Sequence, residues 1–141
     1  MKIGAFFTVC LLFVTALSSL VPAQDSQSEL PFSKAVRVGD ILYLSGELGV
    51  KPGTIELVSG GIGPETKQTM QNIRATLQSN GLEMDKVVKC LVMLADINEW
   101  AAMNAVYRTF FKAPYPARSA MGTSGLALGA RVEIECMARV N

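Results

Sequence analysis

Apolar positions recur with two periods along this chain, every second residue in some stretches and every third or fourth in others, and the periods mark strands and helices respectively. Ala35–Val38 and Ile41–Leu44 are short apolar runs separated by Gly39-Asp40, which predicts two strands joined by a two-residue turn. Residues 46–63 are rich in glycine and contain Pro52, so they read as a long loop with room for a short strand near 55–58. Pro64 then stands where a first helical residue belongs, and Glu65 complements the helix N-terminus. Met70, Ile73 and Leu77 recur at helical spacing, and Gly81 supplies the stop. Val87–Leu94 is β-rich and too short for a helix between such flanks, so it is a strand. Asp96 and Glu99 stand at capping-box spacing, with Asn98 as a competing cap. The helix they open carries Trp100, Met103, Val106, Tyr107 and Phe110 on its apolar face and ends at Pro114 and Pro116. Residues 119–122 suit a short strand, 123–130 a Gly-rich loop and 131–139 a closing strand.

The predicted order is β-β-α-β-α-β-β, an α+β fold. Each helix has one apolar stripe and needs one partner layer, so a single sheet with both helices on one face is the economical packing. Val132, Ile134, Cys136 and Ala138 would face the helices, as would Val88, Cys90, Val92 and Leu94. Leu91, Met93 and Met137 would lie on the opposite face beside Glu133 and Glu135. An apolar patch on an open sheet face marks an interface, which predicts self-association.

The first 23 residues stand apart from this pattern. Lys2 precedes an uncharged apolar run that ends in Val21-Pro22-Ala23, the form of a secretory signal peptide cleaved after Ala23, with an uncleaved anchor as the alternative. Export would make the protein periplasmic or secreted, without membrane attachment once cleaved. It would leave a disordered segment over residues 24–30 and one domain over 31–141. The chain has 13 basic and 12 acidic residues. Cleavage removes Lys2 and no acid, so the mature protein is neutral and has no electrostatic reason to bind nucleic acid. Cys90 and Cys136 would be the only remaining cysteines. They read as two buried small hydrophobes, or as a disulfide if their strands are adjacent.

The absence of histidine removes Ser-His-Asp and Cys-His triads, imidazole acid-base catalysis and histidine metal sites. Proton chemistry must then use carboxylate, hydroxyl, backbone or water. Pro114-Tyr115-Pro116-Ala117-Arg118-Ser119 and the alternating run 131–139 place one cation and two carboxylates, Glu133 and Glu135, near one sheet edge. Arg118 offers a planar fork of donors to a carboxylate, and Glu133 and Glu135 share one strand face. Arg118 has a second reading, as the structural ion-pair partner of Glu133 or Glu135.

Leu30-Pro31-Phe32-Ser33-Lys34-Ala35, Leu44-Ser45-Gly46, Met103-Asn104-Ala105-Val106-Tyr107, Pro116-Ala117-Arg118-Ser119 and Val132-Glu133-Ile134-Glu135 together resemble the RidA (YjgF, L-PSP endoribonuclease-like) family. The resemblance implies a chorismate-mutase-like fold assembled as a homotrimer with clefts between subunits. It also implies cofactor-free hydrolysis of enamines and imines, such as 2-aminoacrylate, to 2-keto acids and ammonia. Arg118 would hold the substrate carboxylate, and Glu133 would orient or deprotonate the attacking water. Ser45, Gly46, Phe32, Asn104 and Ala120 would shape the cleft. Phe32 stands where the family often has Tyr and Ala120 where it often has Cys, so a substrate-facing hydroxyl and a thiol are both missing. A non-catalytic trimeric binder of small carboxylates is the rival reading. Neutral charge and the absence of histidine weigh against a ribonuclease.

Overall fold

A computed structural model describes residues 31–141; the predicted signal peptide and the residues up to 30 lie outside the described residues. Strands β1 (Ala35–Val38) and β2 (Ile41–Leu44) form the expected hairpin, and Gly39 at its turn has a positive φ of 57°. A short strand β3 (Glu47–Leu48) follows, then helix α1 (Ile62–Ser79), strand β4 (Val87–Leu94), helix α2 (Trp100–Tyr107), strand β5 (Ala117–Gly122) and strand β6 (Val132–Arg139). The sheet order is β1-β2-β6-β4-β5, with β3 also pairing with β6. Among the described residues only β4 and β5 run parallel, because the crossover through α2 returns the chain in the same direction.

Both helices cover one face of this mixed sheet. Met70, Ile73 and Leu77 of α1 and Met103 and Tyr107 of α2 pack on Leu42, Leu44, Val92, Leu94, Val132, Ile134 and Ala138 in a single buried cluster. Cys90 and Cys136 lie directly opposite each other within that layer and form a disulfide. Strand adjacency therefore decides between the two readings of these cysteines.

Local departures from the expected pattern have identifiable causes. A bulge between Val87 and Lys89 turns Val87 inward and leaves Val88 exposed, reversing the expected orientation at that position. The loop over 46–63 contains β3 and a bridge between Val50 and Leu57, so pairing starts at Glu47, earlier than the expected strand near 55–58. Helix α1 begins at Ile62, two residues before Pro64. Glu65 is the acidic residue of α1's first turn, as expected, and it is also buried and accepts from the backbone N–H groups of Arg131 (2.6 Å) and Val132 (3.3 Å), fixing the entry to β6. The Asp96 side chain accepts from Asn98 N and caps a 3-10 turn, while Glu99 leaves the expected capping box to pair with Arg131. Buried Glu47 accepts from Lys34 Nζ and Thr76 Oγ1, which ties β3 to α1 and to the segment preceding β1.

Candidate active site

Strand parity decides where the candidate residues point. Arg118 pairs with Cys90 in the parallel β4–β5 register, and Cys90 faces the helices. Arg118 therefore projects to the helix side at the edge of the sheet. Its Nη1 donates to Asn104 Oδ1 at 2.5 Å, and its guanidinium carbon lies 4.9 Å from the centre of the Tyr107 ring and 5.8 Å from that of Trp100. Trp100, Asn104 and Tyr107 are four and three residues apart on α2, so one helical face surrounds the cation. Ala120, two residues further along β5, pairs with Val92 and shares this side.

Glu133 pairs with Met93 and points to the open face, as does Glu135, which pairs with Leu91. Burial, and then the charge of Glu135, push the Glu133 carboxyl above the ordinary carboxylate range. Gly46 lies directly under Glu133, and a side chain there would overlap its carboxylate. Ser45 donates from Oγ to Ser33 O at 2.7 Å and from N to Lys34 O at 3.0 Å, anchoring the segment that carries the exposed Phe32.

The predicted site residues thus form two groups on opposite faces. Arg118, Asn104 and Ala120 stand at the α2–β5 edge; Glu133 stands on the open face of β6 with Gly46 beneath it, and Ser45 next to Gly46 anchors the segment that carries exposed Phe32. This corrects the expectation that one sheet edge gathers the cation with both carboxylates, since β4 separates β5 from β6 and the parity is opposite. Among the described residues Arg118 forms no salt bridge, so within one protomer it pairs with neither Glu133 nor Glu135. Two concavities, about 660 Å³ beside Arg74, Met84, Lys112 and Pro114 and about 430 Å³ between α1 and α2, include no residue of either group.

Tyr107 and Trp100 were legible in the sequence only as members of an apolar helix face. The structure makes them the flanks of Arg118. Tyr107 is buried, its hydroxyl finds no hydrogen-bond partner among the described residues, and burial, partly offset by Arg118, pushes its pKa up to about 12. Trp100 remains 44% exposed.

Comparison with known proteins places this arrangement in context. Residues 23–140 match the family model described as Endoribonuclease L-PSP. The human 2-iminobutanoate/2-iminopropanoate deaminase is 42% identical over 108 residues, covering 77% of this chain and 79% of its own length. The crystal structure of RidA from the Antarctic bacterium Psychrobacter sp. PAMC 21119 superposes with a TM-score of 0.75 at 37% identity, covering 79% of this chain and 90% of that one. Escherichia coli TdcF, solved with bound serine, gives a TM-score of 0.73 at 29% identity over 77% of this chain and 87% of its own. With its matched sequence, its two helices on a mixed sheet and these neighbours, the chain belongs to the L-PSP endoribonuclease (RidA) family.

Proposed function

We propose that this protein is an imine/enamine deaminase that hydrolyses small 2-imino acids to 2-keto acids and ammonia. The relatives named as 2-iminobutanoate/2-iminopropanoate deaminases, about 40% identical over most of the chain, support this activity. The observation that carries the mechanism is the placement of Arg118 and Glu133 on opposite faces, with the cation paired with no carboxylate among the described residues. Two half-sites on one protomer call for a heterologous contact, in which the α2–β5 edge of one copy meets the open face of the next. Repeated three times, such a contact closes a ring. A homotrimer with one composite cleft per interface is the assembly this reading requires. Half-buried Leu91, Met93 and Met137, with exposed Tyr43 and Met121, supply apolar area for it.

Within the cleft, Arg118 binds the substrate carboxylate through the donors that Asn104 leaves free. Glu133 of the adjoining protomer takes a proton from water as its oxygen adds to the imine carbon. Return of that proton to nitrogen gives the neutral carbinolamine; Glu133 then takes the carbinolamine hydroxyl proton and delivers it to nitrogen as the C–N bond breaks, so ammonia leaves and the keto acid remains. The imine is already electrophilic, so positioning and one base account for the chemistry without a cofactor. The raised pKa of Glu133 brings a base closer to neutral pH. The missing hydroxyl at Phe32 and thiol at Ala120 alter specificity rather than remove this machinery.

The protein is exported in this reading, cleaved after Ala23 into the periplasm or medium. The Cys90–Cys136 disulfide supports an oxidising compartment. The activity is tested by mixing mature protein with 2-iminopropanoate and 2-iminobutanoate generated by an amino-acid oxidase, with semicarbazide trapping the remaining imine. Accelerated loss of imine is expected. Saturable binding of keto acid without acceleration would instead identify a carboxylate-binding module.

A further inference from the structure

We infer that Trp100 forms the wall against which the substrate side chain packs, so that the protein prefers 2-imino acids with branched aliphatic or aromatic side chains over those with a methyl or ethyl group. The inference rests on the reading of Arg118 as the carboxylate grip. Three α2 side chains surround the guanidinium, and they differ in what they offer a ligand. Asn104 is polar and already accepts from Arg118. Tyr107 is 4% exposed and has no surface to give. Trp100 lies near the cation at 5.8 Å and leaves 44% of its surface open, the most exposed of the three. On β5, Ala120 is too small to form a wall.

A 2-imino acid carries three groups at its reacting carbon: carboxylate, nitrogen and side chain. With the carboxylate on Arg118 and the reacting carbon turned to water at Glu133, the side chain falls among the flanks of the guanidinium. A methyl group reaches little of the indole, whereas an isobutyl or benzyl group covers it and removes both surfaces from water. One additional methylene in an apolar pocket discriminates by about tenfold or more, so the preference is measurable.

The chain has a single tryptophan, so its intrinsic emission reports on Trp100 directly. The probes are 4-methyl-2-oxopentanoate and pyruvate, stable keto-acid products, titrated against mature protein, together with hydrolysis of the imines of leucine and alanine. The larger keto acid is expected to shift the emission saturably and to bind about tenfold or more tightly than pyruvate. Trp100→Ala should lower the leucine-imine to alanine-imine ratio of kcat/KM about tenfold or more, with Trp100→Phe between it and the parent. Equal losses on both imines, or an emission unchanged by the larger keto acid, overturn the inference and make Trp100 a contact that positions Arg118 or the neighbouring protomer. Should both imines be hydrolysed without discrimination, the deaminase reading stands and the role of Trp100 falls. Should neither be hydrolysed while the emission still discriminates the keto acids, the deaminase reading falls and the pocket assignment stands.

Discussion

At Arg118, one guanidinium is held by Asn104 and bracketed by two rings, with no balancing carboxylate among the described residues. Arg118→Lys keeps the charge and replaces the planar fork with a point charge, so kcat/KM should fall markedly, and Arg118→Ala should fall further, with losses of about 2–4 kcal/mol. Parallel sedimentation should show an unchanged assembly for both variants. Glu133→Gln preserves shape and removes the base, which predicts a drop in turnover of about 10²-fold with keto-acid binding retained. The raised pKa gives this prediction a pH dimension. Glu133 must be deprotonated to act, so activity should be lost as pH falls through a value above the ordinary carboxylate range. Glu135→Gln removes the like charge that contributes to the elevation, so the acid limb of kcat/KM should move to lower pH. An acid limb unmoved by Glu135→Gln would assign the titration to another group.

Elements set the precision of these residues, and β4–β6 is the central one. The cross-strand disulfide there closes a separation of 46 residues and lies in the same cross-sheet row as Arg118. Chain-entropy estimates put its contribution at about 4 kcal/mol for a loop of that length. Replacing both cysteines with alanine should therefore lower Tm by well over 10 °C in a domain of this size, measured by calorimetry. A Tm unchanged from the parent would mean the bond does not form. Gly46→Ala tests the other half-site, because the added methyl overlaps Glu133 and should depress turnover more than stability.

The long elements and their faces were legible in the sequence, because Met70, Ile73 and Leu77 recur at helical spacing and β6 alternates cleanly. The pairing register was not. Whether Arg118 shares a face with Glu133 depends on which residue of β4 each one meets, and the amino-acid pattern within a strand carries no information about its neighbour's offset. The same gap left the disulfide open and hid the bulge that exposes Val88. Two-residue β3 escaped because a strand that short has no periodicity to detect. Trp100 escaped for a different reason. An exposed aromatic at helical spacing is indistinguishable from a core residue until its neighbour across the sheet edge is known.

For the whole molecule, the proposed assembly gives each protomer two complementary halves of one site and completes the site only between neighbours. The proposed export adds a second expectation at this scale: mass spectrometry of the mature protein should find Gln24 at its N-terminus, and an intact Met1 on membrane-bound material would contradict it. The composite cleft is tested most directly by mixing two inactive variants, Arg118→Ala and Glu133→Gln, under conditions that exchange subunits. An interface that takes Arg118 from a Glu133→Gln protomer and Glu133 from an Arg118→Ala protomer has a complete site. Random assembly in equal amounts should restore about one quarter of the parent's imine hydrolysis through such heterologous interfaces. Mixtures that stay as inactive as either variant alone, although mass spectrometry shows that the subunits have exchanged, would contradict the shared site.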